Sequence, residues 1–401
     1  MNAGVVSHAL EGGALILAGA GIFFDVVALL GADRLLKSRK ELVFPLSDAP
    51  EILMVKPVRG LDHGARENFL SFLDQTYPAS KILFAVDSEE DPALPLIRDI
   101  VSGHPEKVSV VVVTERTGRN RKMNKVASVT RNLRAPFILL NDSDIRVGPA
   151  YLSEIMAPMQ EDRTVGAVTC LQRGTPAGGF SSRLAALLLN SETVPQGLVA
   201  SVLAPLTYLY GPTMLFREEA LRAIGGFDPM KDFLADDYHL GRLIAEKGYR
   251  IVLSPTLVDA QIRDEPLGDL LSHEVRWART FSSLRPVGYG LSIIARPFVF
   301  CLTGFLAGGL TGEWGIASIA WSLYLVHLVL LGHLLNQFLE RPLSHRDIGL
   351  WIAREWVSLF SYLASFGRTV KWRGYRYRIL SGGALRPLDS SFTETSGRTQ
   401  P

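Results

Sequence analysis

Gly13 to Ala32, GALILAGAGIFFDVVALLGA, is a 20-residue apolar run with a single charge, Asp25. A helix of that length spans about 30 Å, the hydrocarbon thickness of a bilayer, so the run predicts a transmembrane anchor near the start of the chain. A cleaved secretory signal begins with basic residues and ends on a small-residue cleavage site. Here Arg34, Lys37, Arg39 and Lys40 follow the apolar run instead, which argues for an anchor that is kept. By the positive-inside rule that flank is cytoplasmic, so the N-terminus faces outward and the chain after Lys40 begins in the cytoplasm.

Residues 41–285 alternate short β-branched stretches (52–57, 81–86, 108–114, 137–142 and 165–170) with polar, helix-like segments. That alternation predicts an α/β domain with a mainly parallel sheet. After Arg285 the chain turns apolar again, at 291–310 and 315–335, and a hairpin of two membrane helices is the expectation. A last apolar segment, 349–367, contains Arg354 and Glu355 and precedes Arg368, Lys371, Arg373, Arg376 and Arg378. A full crossing there would put this basic tail outside, so the segment is expected to lie in the cytoplasmic interface or to re-enter from it. The stretch 180–210, broken by Pro195, reads either as core or as a membrane-touching surface. The domain organisation expected is therefore an anchor with its basic flank (1–40), a catalytic α/β domain (41–285), a membrane region (286–388) and a disordered tail (389–401).

Composition narrows the partners. With 42 basic and 40 acidic residues the net charge is +2, which leaves no field for a polyanion, and nucleic acid is not an expected partner. The only cysteines, Cys170 and Cys301, are too few for a disulfide framework or a thiolate metal site. A metal here would be held by oxygen or histidine. Oligomeric state is not readable.

Four short patterns carry chemistry. Asn141-Asp142-Ser143-Asp144 follows the strand-like FILL, placing two carboxylates at the carboxyl edge of an open sheet, where ligands bind. Such a pair suits a hard divalent cation, Mg²⁺ or Mn²⁺, on a diphosphate; the plain alternative is an Asx turn. Asp87 to Pro92 follows another strand, and on its own it reads first as a plain acidic loop with Asp91 capping a helix that begins at Pro92. Asp236-Asp237 opens a helical pattern ending at Gly248, and two aspartates there also suit the helix dipole. His273-Glu274-Val275-Arg276-Trp277 precedes the apolar hairpin, where Arg and Trp are common for interfacial reasons alone.

In their order and spacing these patterns resemble the ceramide glucosyltransferase family, glycosyltransferase family 21, whose acidic series closes on (Q/R)xxRW. The resemblance is carried by KPVRGLD (56–62), Tyr77-Pro78, EEDPA (89–93), GRNRKMNK (118–125), NDSDIRV (141–147), MLFR (214–217), GGFD (225–228), ADDYHL (235–240), HEVRW (273–277), REW (354–356) and WRGYRYR (372–378). It implies a GT-A-type fold, a Rossmann-like mixed sheet, with transmembrane or interfacial helices at both ends. The implied reaction is inverting transfer of a hexosyl unit from a nucleotide sugar, UDP-glucose favoured, to a membrane lipid hydroxyl, ceramide favoured.

By the same resemblance the family aspartates fall on Asp91, Asp142 and Asp237, and the closing pair on Arg276 and Trp277. Asp237 is then the general base, Asp142 and Asp144 the cation ligands, Arg276 a diphosphate contact and Trp277 a stacking wall. Lys56, Asp87, Asn120, Lys122, Asn124, Asp236 and His273 join Asp91 and Asp142 as nucleotide-sugar contacts. Two departures stand out: His273 replaces the family Gln or Arg, and Asp144 supplies a carboxylate where eukaryotic members lack one. A short chain with Asp-Ser-Asp fits a bacterial, inner-membrane member, for which a hopanoid polyol or diacylglycerol is the alternative acceptor, and N-acetylglucosamine, galactose or glucuronate the alternative sugar. A scaffold or transporter without catalysis is the reading from a different class.

Overall fold

A computed structural model describes residues 3–39, 49–115, 117–340, 345–372 and 375–388. Lys40, Arg373 and the tail 389–401 lie outside the described residues. The chain begins with α1 (Ala3–Arg39) and continues through β1 (Ile52–Pro57), α2 (Ala65–Ser71), β2 (Ser80–Val86), α3 (Leu94–Gly103), β3 (Val108–Val112), α4 (Arg121–Thr130), β4 (Phe137–Leu140), β5 (Ile145–Arg146) and α5 (Tyr151–Glu161). Next come β6 (Val165–Pro176), α6 (Phe180–Leu188), α7 (Val194–Leu203), β7 (Met214–Arg217), α8 (Glu218–Ala223), α9 (Asp236–Glu246), β8 (Arg250–Ile262) and α10 (Leu267–Leu284). The C-terminal part holds α11 (Pro286–Leu291), α12 (Pro297–Thr311), α13 (Trp314–Gln337), α14 (His345–Ala364) and the strands β9 (Thr369–Trp372), β10 (Tyr375–Ile379) and β11 (Leu385–Pro387).

The central sheet has eight strands in the order β3-β2-β1-β4-β7-β6-β8-β5. Strands β3, β2, β1 and β4 are parallel, β7 is antiparallel to both neighbours, and β5 is antiparallel to β8. It is a mixed sheet of the GT-A type. Successive residues of its central strands enter different cores: Met54 and Leu139 pack with α2, α3 and α5, whereas Val55 and Ile138 pack with α4, α7 and α9. Burial on both faces explains why these strands read as unbroken β-branched runs. The chain moves from β1 to β2 and β3 on one side, then returns to place β4 on the other. That reversal opens the crevice between β1 and β4 at their carboxyl ends.

Among the described residues two helices are long and apolar enough to cross a membrane, His8–Arg39 and Trp314–Gln337. The straight helix expected over 291–310 is instead broken. Arg296 leaves helical geometry and α12 starts at Pro297, because proline cannot continue a helix and disfavours helical geometry in the residue before it. With 15 residues α12 is about 22 Å long. It reaches crossing length only together with the preceding segment, from which it is bent by 56°.

The membrane helices and the α/β core are continuous. Ala28 and Ala32 of α1 and Leu331, Leu334 and Leu335 of α13 join the same buried cluster as β4, β7, α7 and α9. At Gly31 a Cβ would lie 2.9 Å from the Leu198 carbonyl oxygen, so glycine lets α1 lie directly on α7. The 180–210 stretch is mostly core, with Phe180 and Leu203 exposed at the ends of its helices. The C-terminal basic tail forms a three-stranded antiparallel sheet, β11-β10-β9, whose Val370, Tyr377, Ile379 and Leu385 bury Leu234.

Candidate active site

The crevice between β1 and β4 gathers most of the charged groups. Strand β1 delivers Lys56, whose Nζ lies 3.3 Å from the Asp142 carbonyl oxygen and 3.4 Å from the Phe72 ring centre. Burial pushes its ammonium down to about 7, against the pull of Asp142 and Asp144. Past the end of β4, the Asn141 side-chain amide donates to Tyr151 Oη at 2.9 Å and to the Pro212 carbonyl at 2.8 Å, fastening the strand end to the 210–213 turn. From there Asp142 meets Lys122 of α4 at 2.7 Å, and Lys122 reaches Asp236 at 3.3 Å. Burial opposes the charge on Lys122, but the carboxylates outweigh it and hold the ammonium above its ordinary range.

Asp142 and Asp237 share one space. A Cβ on Gly211 would lie 3.5 Å from Oδ2 of each, an ordinary contact distance, so the two carboxylates converge on the same side of this residue. Asp236 and Asp237 form the first turn of α9, where helix N–H groups favour negative charge. Asp237 Oδ1 accepts the Tyr238 N–H at 2.8 Å. Its carboxyl is pushed up to about 7, first by burial and then by Asp236, with Lys122 pulling the other way.

Asp144 lines a cavity of 220 Å³ with Pro57, Arg59, Asp62, Lys122 and Asp142. Burial, then Asp142 and Asp62, push its carboxyl up to about 7. Asp62 escaped the sequence reading: a lone aspartate in a loop has no local signature, although it closes the KPVRGLD segment. It accepts the Ser143 hydroxyl at 2.5 Å, and burial raises its pKa. Among the described residues no three His, Cys, Asp or Glu side chains are set to hold a metal by themselves. A one- or two-carboxylate site completed by phosphate oxygens and water is the usual Mg²⁺ arrangement, and Asp142 and Asp144, which line one cavity, fit it.

A second cavity, of 570 Å³, holds Asp87, Asp91, Glu90 and Arg121 and shares Arg59 with the first. Asp91 accepts the Gly60 N–H at 3.0 Å and the Ala93 N–H at 2.9 Å, so it caps its own turn while facing the cavity. Asp87 lies 3.3 Å from Lys125 Nζ. Asn120 caps α4 by accepting the Met123 N–H at 3.1 Å, and its amide donates to the Phe233 carbonyl at 2.8 Å. Asn124 donates to the Gly118 carbonyl at 2.7 Å. Both asparagines thus hold the loops around the crevice, including the one that leads into Asp236.

Helix α10 brings the remaining residues, with His273 set edge-on to Trp277, ring centres 4.8 Å apart. Desolvation, then the Arg276 and Arg263 guanidiniums, depress the His273 imidazole. Trp277 packs against the sheet. Arg276 lines a separate cleft of 250 Å³ between α10, α14 and β9, beside Arg279, Phe360 and Lys371.

A sequence profile of "Glycosyl transferase family 21" matches residues 14–385. The chain is 22% identical over 394 residues to ceramide glucosyltransferase 1 of Caenorhabditis elegans, covering 95% of this chain and 84% of that protein. It is also 24% identical over 280 residues to an N-acetylglucosaminyltransferase of Rhizobium meliloti, covering 66% and 62%. A mannosyltransferase structure from Pyrobaculum calidifontis, solved with GDP-mannose and Mn²⁺, shares the fold with a TM-score of 0.50 at 18% identity over 89% of this chain and 98% of its own. With a GT-A-type sheet, paired carboxylates at its switch point and a family match over nearly its whole length, the chain is a hexosyltransferase and belongs to glycosyltransferase family 21.

Proposed function

We propose that the protein transfers glucose from UDP-glucose to the primary hydroxyl of ceramide, with inversion, at the cytoplasmic face of the membrane. The observation that carries this reading is the convergence of the Asp142 and Asp237 carboxylates beside Gly211, next to an apolar rim. Arg285 donates to Tyr238 Oη and Thr207 Oγ1, and the segments flanking these contacts expose Leu203, Phe281, Val287 and Leu291. An amphiphile can rest its chains on such a rim while its hydroxyl reaches Asp237.

In the step proposed, Asp237 takes the hydroxyl proton, the freed oxygen bonds to the anomeric carbon, and the bond from that carbon to the diphosphate oxygen breaks, releasing UDP. A base with a pKa near the working pH is best placed for this. Asp142 and Asp144 would hold a divalent cation, which when bound would supply Lewis-acid stabilisation to the leaving diphosphate. Lys122 holds the Asp142 and Asp236 carboxylates and Lys56 the Asp142 carbonyl, Arg276 turns to a diphosphate oxygen, Trp277 walls the acceptor, and Asp87 and Asp91 face the nucleotide. The membrane orientation follows the charge bias: the basic end of α1, with Arg34, Lys37 and Arg39, is cytoplasmic. Helix α14 presents Ile352, Trp356, Phe360 and Leu363 outward while its inner face is polar, as suits a helix lying in the interfacial layer.

The test is lipid mass spectrometry of a host that contains ceramide, diacylglycerol and hopanoids, with and without expression. A hexose increment on ceramide is expected; an increment on another lipid, or an N-acetylhexosamine increment, overturns the assignment of acceptor or sugar.

A further inference from the structure

Arg354 and Glu355 of α14 point inward and join two parts of the molecule. Arg354 is 2% exposed. Its guanidinium forks onto Glu274 of α10, at 2.5 and 2.7 Å, and its Nε donates to Glu192 at 3.1 Å and to Ser358 at 3.0 Å. Glu192 lies in the π-helical turn 189–193 between α6 and α7, and it also meets Arg296, at the break before α12, at 3.3 Å. Ser361 donates to Glu274 at 3.3 Å, and Ser358 donates to Glu192. Arg279, five residues along α10 from Glu274, donates to the carbonyls of Ala364 and Thr369, so α10 and α14 are fastened at two levels.

The neighbouring Glu355 faces the other way. Its carboxylate lies 3.7 Å from His327 Nε2 of α13, whose Nδ1 bonds Asp25 of α1 at 2.7 Å. These are the charges that made 13–32 and 349–367 imperfect apolar runs.

We propose that Arg354 and Glu355 are positioning residues forming a two-sided joint. Arg354 sets the rotation of α10, which carries His273, Arg276 and Trp277, and Glu355 refers that setting to the membrane helices α1 and α13. The inference rests on the reading of α10 as part of the site. A planar guanidinium held by two parallel hydrogen bonds fixes orientation as well as charge, which a lysine ammonium does not. A lipid hydroxyl is held at the height of its bilayer, whereas water reaches the site from any direction. Loss of the joint therefore affects transfer to lipid more than hydrolysis of the donor.

The experiment uses the full chain in phosphatidylcholine nanodiscs, with spin labels at Ser272→Cys on α10 and Ser322→Cys on α13, both exposed; the native Cys170 and Cys301 are buried. In Arg354→Lys and Glu355→Gln the label-to-label distance distribution is expected to shift or broaden. Transfer from UDP-glucose to ceramide should fall about 10- to 100-fold relative to UDP-glucose hydrolysis, the scale of a small misplacement of reacting groups. Unchanged distances in both variants overturn the joint, as does a lowered melting temperature with the transfer-to-hydrolysis ratio intact. Should Arg354→Lys fail to fold, Glu355→Gln alone decides. Undiminished transfer in Arg276→Ala/Trp277→Ala, measured in parallel, would overturn the reading of α10 and leave the distance result standing.

Discussion

Asp237 is a carboxyl whose ionisation is held back by burial and then by Asp236, and its behaviour follows from that. With the group pushed up to about 7, kcat/KM for transfer should fall tenfold per pH unit below about 7, since only the carboxylate accepts a proton. Asp237→Asn should remove that limb together with about 10²- to 10⁴-fold of the rate, while donor binding measured by calorimetry stays within a few-fold. Transfer at half the native rate in this variant would assign the base elsewhere. The same shift bears on stability. A carboxyl raised from 3.8 to about 7 disfavours its own charged form in the fold, so its contribution is full below about pH 4 and is lost as pH rises through about 7. Between those limits Asp237→Asn should flatten the rise of melting temperature on acidification. Asp142→Ala should weaken UDP-glucose binding in the presence of Mn²⁺ more than Asp144→Ala does, because Asp142 alone also meets Lys122. Full activity in excess EDTA would remove the cation from this pair.

Among the secondary elements, β9–β11 offer the clearest test. They bury Leu234, and the Leu385 N–H donates to the Asp232 carbonyl at 3.4 Å, next to the loop that leads into Asp236 and Asp237. Truncation after Gly367 uncovers that loop and should abolish transfer while α1 and α13 still insert, as checked by carbonate extraction. These strands were hidden in plain sequence. Tyr377 and Ile379 point inward and Arg376 and Arg378 outward, an alternation characteristic of a half-buried strand, but the density of arginine reads as a solvated tail. Strands β1, β2 and β4 were legible because they are buried on both faces, and β3, which exposes Ser109 and Val111 at the sheet edge, was legible from its run of valines. Strand β8, RIVLSPTLVDAQI, mixes Ser, Pro, Thr and Asp into its 13 residues and loses that signature. The carboxylates of the crevice were legible because each follows a strand or opens a helix. Arg354 and Glu355 read as an energetic burden on 349–367 because their partners Glu274, Glu192 and His327 are remote in sequence. Removing one side of that buried pairing, as in Glu274→Ala, should lower stability by about 3–5 kcal/mol, measured by thermal melting in detergent.

At the scale of the whole molecule, the charge flanking α1 and the inward-facing Arg354 and Glu355 of α14 together predict that a reporter fused after Leu388 is cytoplasmic, on the side of the α/β domain. A reading from the opposite side of the membrane would mean a further crossing and would separate β9–β11 from the loop they cover. Helix α1 runs 37 residues, about 56 Å, without a break, and its inner half is part of the α/β core. One rigid rod thus belongs both to the lipid and to the enzyme. Cutting off the anchor to obtain a soluble fragment would remove part of the core with it. The rod also acts as a depth gauge: where a bilayer is thicker or thinner than the apolar length of α1, tilting to relieve the mismatch must carry the crevice with it. The rate of lipid glycosylation should therefore vary with acyl-chain length in otherwise identical nanodiscs, peaking at one thickness, while hydrolysis of the soluble donor stays level.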